Sequence, residues 1–335
     1  METVTLVALL IVLFLVLSSE FVNGWTDAPN AIACLITTRV MTAGQAIALA
    51  VVMNVLGTLS GTAVAETMGK GIVSTATINL LTISAALVGI IAWGAVAARY
   101  GIPTSESHAL VAGLSGAALA TAGPGSLQWA GWSKVLIGVA SAVILGLAGS
   151  WIVSRIIIRL AAKRLPGPSK KLFDRLQILS GAFMAYNHGL NDGQKFVGVF
   201  TLALVMGGVL KEFHIPVWVI LLCAITMGVG TSIGGKEIIG TLGEKIAKIE
   251  SWQGFAALTG ASTTILGASL LGIPLSTTHT IVAAVTGTGM SRSPAVVRWK
   301  YPRRIVYASL LTFPLCGAIA FLVCFLLQTL QRLFM

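Results

Sequence analysis

Apolar residues run in blocks long enough for the roughly 20-residue requirement of a membrane-spanning helix at 3–22, 45–65, 72–98, 133–158, 214–234, 253–272 and 304–331. Shorter or interrupted blocks fall at 24–38, 103–121, 172–186, 190–210 and 274–290. The pattern predicts an all-α membrane protein of roughly a dozen helical elements, some of them too short to cross. The amino end carries Glu2 where a secretory signal has basic residues, and no small-residue cleavage site precedes Trp25, so it reads as the first membrane helix.

Composition agrees with a chain that lives in lipid. Hydrophobic residues make up 56% of the 335 positions and charged residues 10%, against roughly a quarter charged in soluble domains, and mean hydropathy is +0.91. Cys34, Cys223, Cys316 and Cys324 are scattered through apolar segments without a CxxC pair and read as buried small hydrophobes. The net charge of +11 is a topology signal and not a nucleic-acid footprint, because 12 of the 22 Lys and Arg fall in 154–175 and 291–304. By the positive-inside rule both segments are expected to be cytoplasmic.

The chain also aligns with itself. Residues 102–116 set against 273–287 share seven identities in fifteen positions, where chance gives about one. Gly24 and Asp27 match Gly189 and Asp192, and Thr67 and Gly69 match Thr241 and Gly243. The duplication divides the chain into repeats 1–165 and 166–335 of one membrane domain, with about six helical elements each. Segment 121–132 has no charge whereas the equivalent 291–304 has five cations, so equivalent helices enter from opposite sides. The expectation is an inverted-topology repeat with loop 160–175 cytoplasmic and both termini outside, an arrangement typical of secondary transporters.

Asp27 and Asp192 lie in apolar surroundings at equivalent places, and intramembrane acids usually mark ion or proton pathways. Around them stand Asn23, Gly24, Pro29 and Asn30 in the first copy and His188, Gly189, Asn191, Gly193, Gln194 and Lys195 in the second. Glycine and proline predict broken helices whose freed carbonyls, with a carboxylate and an amide oxygen, suit a hard cation such as Na+ at Asp27, Asn30 and Asp192. The expected cation-coupling set has Asn23, Asp27, Asn30 and Asp192 from this reading, with Lys195 and Glu106 added by the family resemblance given below. A second pair of motifs, at 103–108 and 274–279, puts hydroxyls between a proline and an apolar helix. The N–H groups of such helix starts, with Thr104, Ser105, Ser107, Ser276, Thr277 and Thr278 and the amides of Asn191 and Gln194, form the expected oxyanion set. The same hydroxyls also suit ordinary helix caps, and His108 and His279 suit a structural role in a helical hairpin.

These residues resemble the inorganic phosphate transporter family, in particular its bacterial branch, nearly end to end. The signature N-G-x-x-D-x-x-N-A is present at 23–31, H-G-x-N-D-x-Q-K at 188–195, and P-x-S-x-x-H at 103–108 and again at 274–279. Ala295, Val297, Arg298 and Trp299 fit a further stretch near the last helix. The resemblance implies an inner-membrane phosphate carrier without a cofactor, two re-entrant hairpins at the anion site, aspartate-bearing broken helices at cation sites, and a homodimer. Sodium-coupled members end the second signature in asparagine, where this chain has Lys195. Relatives with Gln-Lys point to proton coupling, sometimes with phosphate carried as a neutral metal complex. Glu106, where relatives commonly have a small hydroxyl residue, is either protonated during transport or faces away.

The sequence reading is therefore import of inorganic phosphate by cation symport, with H+ favoured over Na+. Sulfate is an alternative substrate within the family. An intramembrane lipid phosphatase is disfavoured because Ser291, Arg292 and Ser293 have no counterpart in the first half and the paired hairpins contain no arginine. A passive channel is disfavoured by the paired acids.

Overall fold

The computed structural model describes residues 3–99, 104–161, 168–233, 246 and 249–334. Pro103, the 162–167 part of the basic loop and the repeat motif at 241–243 lie outside the described residues. In the first half the helices are α1 (Thr3–Thr26), α2 (Pro29–Thr37), α3 (Ala43–Thr58), α4 (Ala63–Glu66), α5 (Leu80–Arg99), α6 (Glu106–Ala122) and α7 (Trp129–Ala161). In the second they are α8 (Pro168–His188), α9 (Gln194–Met206), α10 (Val217–Ile233), α11 (Ser251–Leu270), α12 (Thr277–Arg292) and α13 (Lys300–Phe334). Among the described residues the only β pairing is an isolated bridge between Val73 and Leu127.

Local chemistry sets the breaks. Thr42 and Gln45 form a capping box at the start of α3, and Ser105 and Ser276 cap α6 and α12. The apolar block 72–98 becomes helical only from Leu80, because Asn79 Oδ1 accepts the Thr82 N–H at 3.0 Å and so starts α5 there. The block 45–65 divides after Thr58, and the two pieces, Ala43–Thr58 and Ala63–Gly71, meet at 65°.

The two aspartate-bearing segments differ from the expectation of two broken helices. The first is interrupted between α1 and α2, with Pro29 at the start of the new helix. The second is continuous: residues Gly189–Gly193 form a π-helical turn between α8 and α9. Gln194 stands where the first copy has Pro29 and keeps its N–H, so the helix absorbs the irregularity as a wider turn.

Four described helical stretches are long and apolar enough to cross a membrane, within Thr5–Thr37, Leu80–Ala97, Trp129–Leu160 and Lys300–Leu333. Their outer faces expose Leu10 and Phe14 on α1, Ile137 and Ile144 on α7, and Leu322 and Phe325 on α13, while Glu20, Asn23, Asp27, Asn30, Asp192 and Lys195 are buried. Apolar outside and polar inside is the distribution expected when lipid is the solvent.

Packing interlocks the two halves. Helices α5 and α6 lie against α13 of the other half, and α11 and α12 lie against α7. Likewise α1 crosses α10, and α3 crosses α8. Glycine permits these close crossings: a Cβ on Gly24 would collide with the Met227 carbonyl, and one on the equivalent Gly189 with the Asn54 carbonyl. Small residues at helix crossings are the usual route to tight packing in lipid, where no hydrophobic drive distinguishes one helix from an acyl chain.

Candidate ion and anion site

The interlock brings the α1–α2 break, the π turn, and the starts of α6 and α12 into one buried polar region. Asp192 and Lys195 are three residues apart, hence on one helix face, and the Lys195 ammonium bonds Asp192 Oδ1. It also donates to Ser107 Oγ on α6 and, at 2.8 Å, to the Leu275 carbonyl just before α12. Lys195 is 1% exposed, so its charge is met by protein atoms alone. The other Asp192 oxygen accepts from Thr277 Oγ1 at 2.6 Å and lies 3.2 Å from His188 Nε2. His188 Nδ1 is in turn 3.1 Å from Asn54 Oδ1.

In the first copy an amide stands where the second has the ammonium. Asn30 Nδ2 donates to Asp27 Oδ1 at 2.6 Å and to Thr278 Oγ1 at 2.8 Å, and Thr278 itself donates to Asp27 Oδ1. Each acid thus meets the start of α12 through Thr277 or Thr278, and Lys195 adds a contact to the start of α6. Asp27 Oδ2, Asn30 Oδ1 and Asn23 Oδ1 are buried without a hydrogen-bond partner. Buried polar atoms in native proteins are nearly always partnered, so these three oxygens mark a place for a proton, water or cation. Ligand atoms of Asp27, His188 and Asp192 all lie within 4.8 Å of one another.

The remaining sequence-selected groups are spread over this region. Ser105 Oγ accepts the His108 N–H at 3.4 Å and Ser276 Oγ the His279 N–H at 3.3 Å, so both act as caps in this conformation. Thr104 is half-buried at the approach to α6, and Glu106 is buried in its first turn. Asn191 ties the end of α11 to the segment before α12, donating to Ser269 Oγ at 2.9 Å and accepting from the Leu275 N–H at 3.1 Å. Gln194 Oε1 accepts the Val64 N–H at the start of α4. The rings of His108 and His279 lie 5.0 Å apart and bring the starts of α6 and α12 together.

Sequence reasoning passed over Glu20. It is fully buried in α1 and accepts from Asn23 Nδ2 at 3.3 Å, with Asp192, Lys195 and Glu106 as its charged neighbours. The available signal was an acid inside the first apolar block. The equivalent position in the second copy is Ala185, so the self-alignment gives Glu20 no recurring partner.

Comparison with known proteins bears on this arrangement as a whole. The family model described as "Phosphate transporter family" matches residues 23–320. A "Probable low-affinity inorganic phosphate transporter" of Rhizobium meliloti is 38% identical over 303 residues, covering 90% of this chain and 91% of the relative. One of Bacillus subtilis is 37% identical over 327 residues, covering 96% and 98%. A solved structure described as "The sodium-dependent phosphate transporter" shares the fold, with a TM-score of 0.86 at 24% identity over 96% of this chain and 99% of that one. With spanning helices around a buried polar core and a family match over most of its length, the chain is an integral membrane protein and belongs to the phosphate transporter family, a family of carriers and not of enzymes.

Proposed function

We propose that this protein imports inorganic phosphate across the inner membrane by cation symport, with protons as the main driver. The observation that carries the reading is the Lys195 ammonium held by Asp192, Ser107 and the Leu275 carbonyl. It puts a fixed positive charge in one of two equivalent places and leaves the other, at Asp27, Asn30 and Asn23, with oxygens that lack partners. Four carboxyl groups, of Glu20, Asp27, Glu106 and Asp192, surround that single ammonium. Adding a phosphate to such a site brings further negative charge into low dielectric, where unpaired charge is very costly. A mobile cation must therefore enter with it.

In this reading phosphate is received between the starts of α6 and α12, with N–H groups and hydroxyls of Thr104, Ser105, Ser107, Ser276, Thr277 and Thr278 as donors. Asn191 and Gln194 contribute amides when the hairpins move. The two halves, 1–165 and 166–335, act as inverted repeats, their re-entrant hairpins closing on the anion from both sides. Loop 160–175 faces the cytoplasm, both termini face outside, and two copies form a homodimer. The unpartnered oxygens at Asp27, Asn30 and Asn23 favour a second reading, in which Na+ binds there and drives transport.

Uptake of labelled phosphate and sulfate into proteoliposomes, with proton and sodium gradients imposed separately, tests the proposal. Uptake driven by a pH gradient in choline medium supports proton symport. Loss of uptake when choline replaces sodium, with no response to pH, leaves the sodium reading. Flux indifferent to both gradients defeats coupling altogether. For topology, a cysteine at position 169 is expected to resist an impermeant reagent added outside intact cells.

A further inference from the structure

Two clefts open on the sides of the molecule at equivalent places in the two halves. One, of about 590 Å³, lies between α6 and α13 and is lined by Leu119, Leu127, Trp132 and Phe313, with no charged residue. The other, of about 400 Å³, lies between α7, α12 and α13, and its walls include Val143, Leu147 and Val282. The second differs in two respects. Arg303, Trp299 and Tyr307 join its lining, all three exposed, whereas Ser133 stands in the first half at the place of Arg303. The cleft also reaches His279, whose Nδ1 is 2.5 Å from Ser276 Oγ, the cap of α12. In the first cleft the way to the equivalent His108 is closed by Phe313, whose ring lies 4.8 Å from the imidazole.

An apolar slot between membrane helices suits an acyl chain. A guanidinium beside it suits a phosphodiester, because it is a planar donor that stays charged. Tryptophan and tyrosine rings suit the level where the two meet. Arg303 has no carboxylate partner among the described residues, the ion pairs there being Lys70–Glu66, Lys170–Asp174, His188–Asp192, Lys195–Asp192 and Arg292–Glu250. We infer that the α7–α12–α13 cleft is a binding site for an anionic phospholipid, its phosphate on Arg303 and one acyl chain against Val143, Leu147 and Val282. Basic pockets between membrane helices are established recognisers of anionic headgroups. Through His279 the bound lipid touches the hairpin that starts α12, so occupancy steadies that hairpin.

The test is titration of the purified full-length protein in neutral detergent with phosphatidylglycerol or with phosphatidylcholine of the same acyl chains, bound lipid being counted by native mass spectrometry. Phosphatidylglycerol is expected to be retained in preference, and Arg303→Ala to weaken it about fivefold, the effect of one basic residue at a lipid surface. Arg304→Ala, on the same basic segment but outside the cleft lining, is the control and is expected to change retention less than about twofold. Ala283 also lines this cleft, and Ala283→Trp, which fills the slot, is expected to lose the lipid while Arg303→Ala and Arg304→Ala melt like the parent. Equal retention of the two lipids overturns the site, and so does equal loss in the two arginine variants, which would mean diffuse surface attraction. Displacement of phosphatidylglycerol by inorganic phosphate alone would make Arg303 a contact for free anion and equally overturn the lipid site.

Discussion

The two halves of the polar site are built on one plan and differ most in charge at one pair of equivalent positions, Asn30 and Lys195. Asp27 is met by the Asn30 amide and the Thr278 hydroxyl, whereas Asp192 is met by the Lys195 ammonium, the Thr277 hydroxyl and His188. The amide satisfies one oxygen of Asp27 and leaves the other without a partner; the ammonium neutralises Asp192 and ties the helix to the starts of α6 and α12. One half therefore carries a cation on its own side chain, whereas the other has buried oxygens without partners.

The comparison breaks most visibly at Lys195. Lys195→Met is expected to leave the Asp192 carboxylate buried without its partner and to lower stability by about 3–5 kcal/mol. The neutral counterpart Asn30→Ala should lose only about 1–3 kcal/mol. Melting of the two variants in detergent reads the difference, and equal losses would remove the distinction between the halves. The hydroxyl partners come next. Thr277→Val and Thr278→Val each delete a hydrogen bond to a carboxylate, worth about 1.5–3 kcal/mol, and uptake assays should show the larger defect for Thr278, which serves both Asp27 and Asn30.

A sharper test makes the halves alike. Lys195→Asn gives the second copy the residue of the first, and phosphate uptake is expected to gain a dependence on sodium, read by choline replacement. Unaltered ion dependence would separate Lys195 from coupling. The smallest effect is expected at the caps, where Ser105→Ala and Ser276→Ala cost about 1 kcal/mol as caps. Glycine retains most of a cap's worth, so phosphate affinity that falls in both Ser276→Ala and Ser276→Gly assigns the hydroxyl to the anion, and recovery in Ser276→Gly assigns it to the helix.

Much of this architecture was legible in the amino-acid pattern. Four of the seven long apolar blocks, 3–22, 72–98, 133–158 and 304–331, correspond to described helices long and apolar enough to span, and a twofold self-match located Asp27 and Asp192 together with the starts of α6 and α12. Asp192 and Lys195, both singled out as coupling residues, are found paired. These features were readable because they depend on helix period and local composition. Proline before the second helical piece announced the break at Pro29, but nothing in the one-dimensional pattern announced that the equivalent segment would pass through a π turn.

Only the tertiary structure decided which groups meet across the chain. Lys195 reaches Ser107 across 88 positions, Asp27 receives Thr278 across 251, and Glu20, with no repeated partner to flag it, comes to the edge of the same region. Those meetings follow from how closely helices cross, which is set by Gly24 beneath the Met227 carbonyl and Gly189 beneath that of Asn54. A residue's partners within one turn of a helix are fixed by the covalent chain and its hydrogen-bond period. Its partners on another helix depend on the packing of every side chain between them, information spread over the whole molecule.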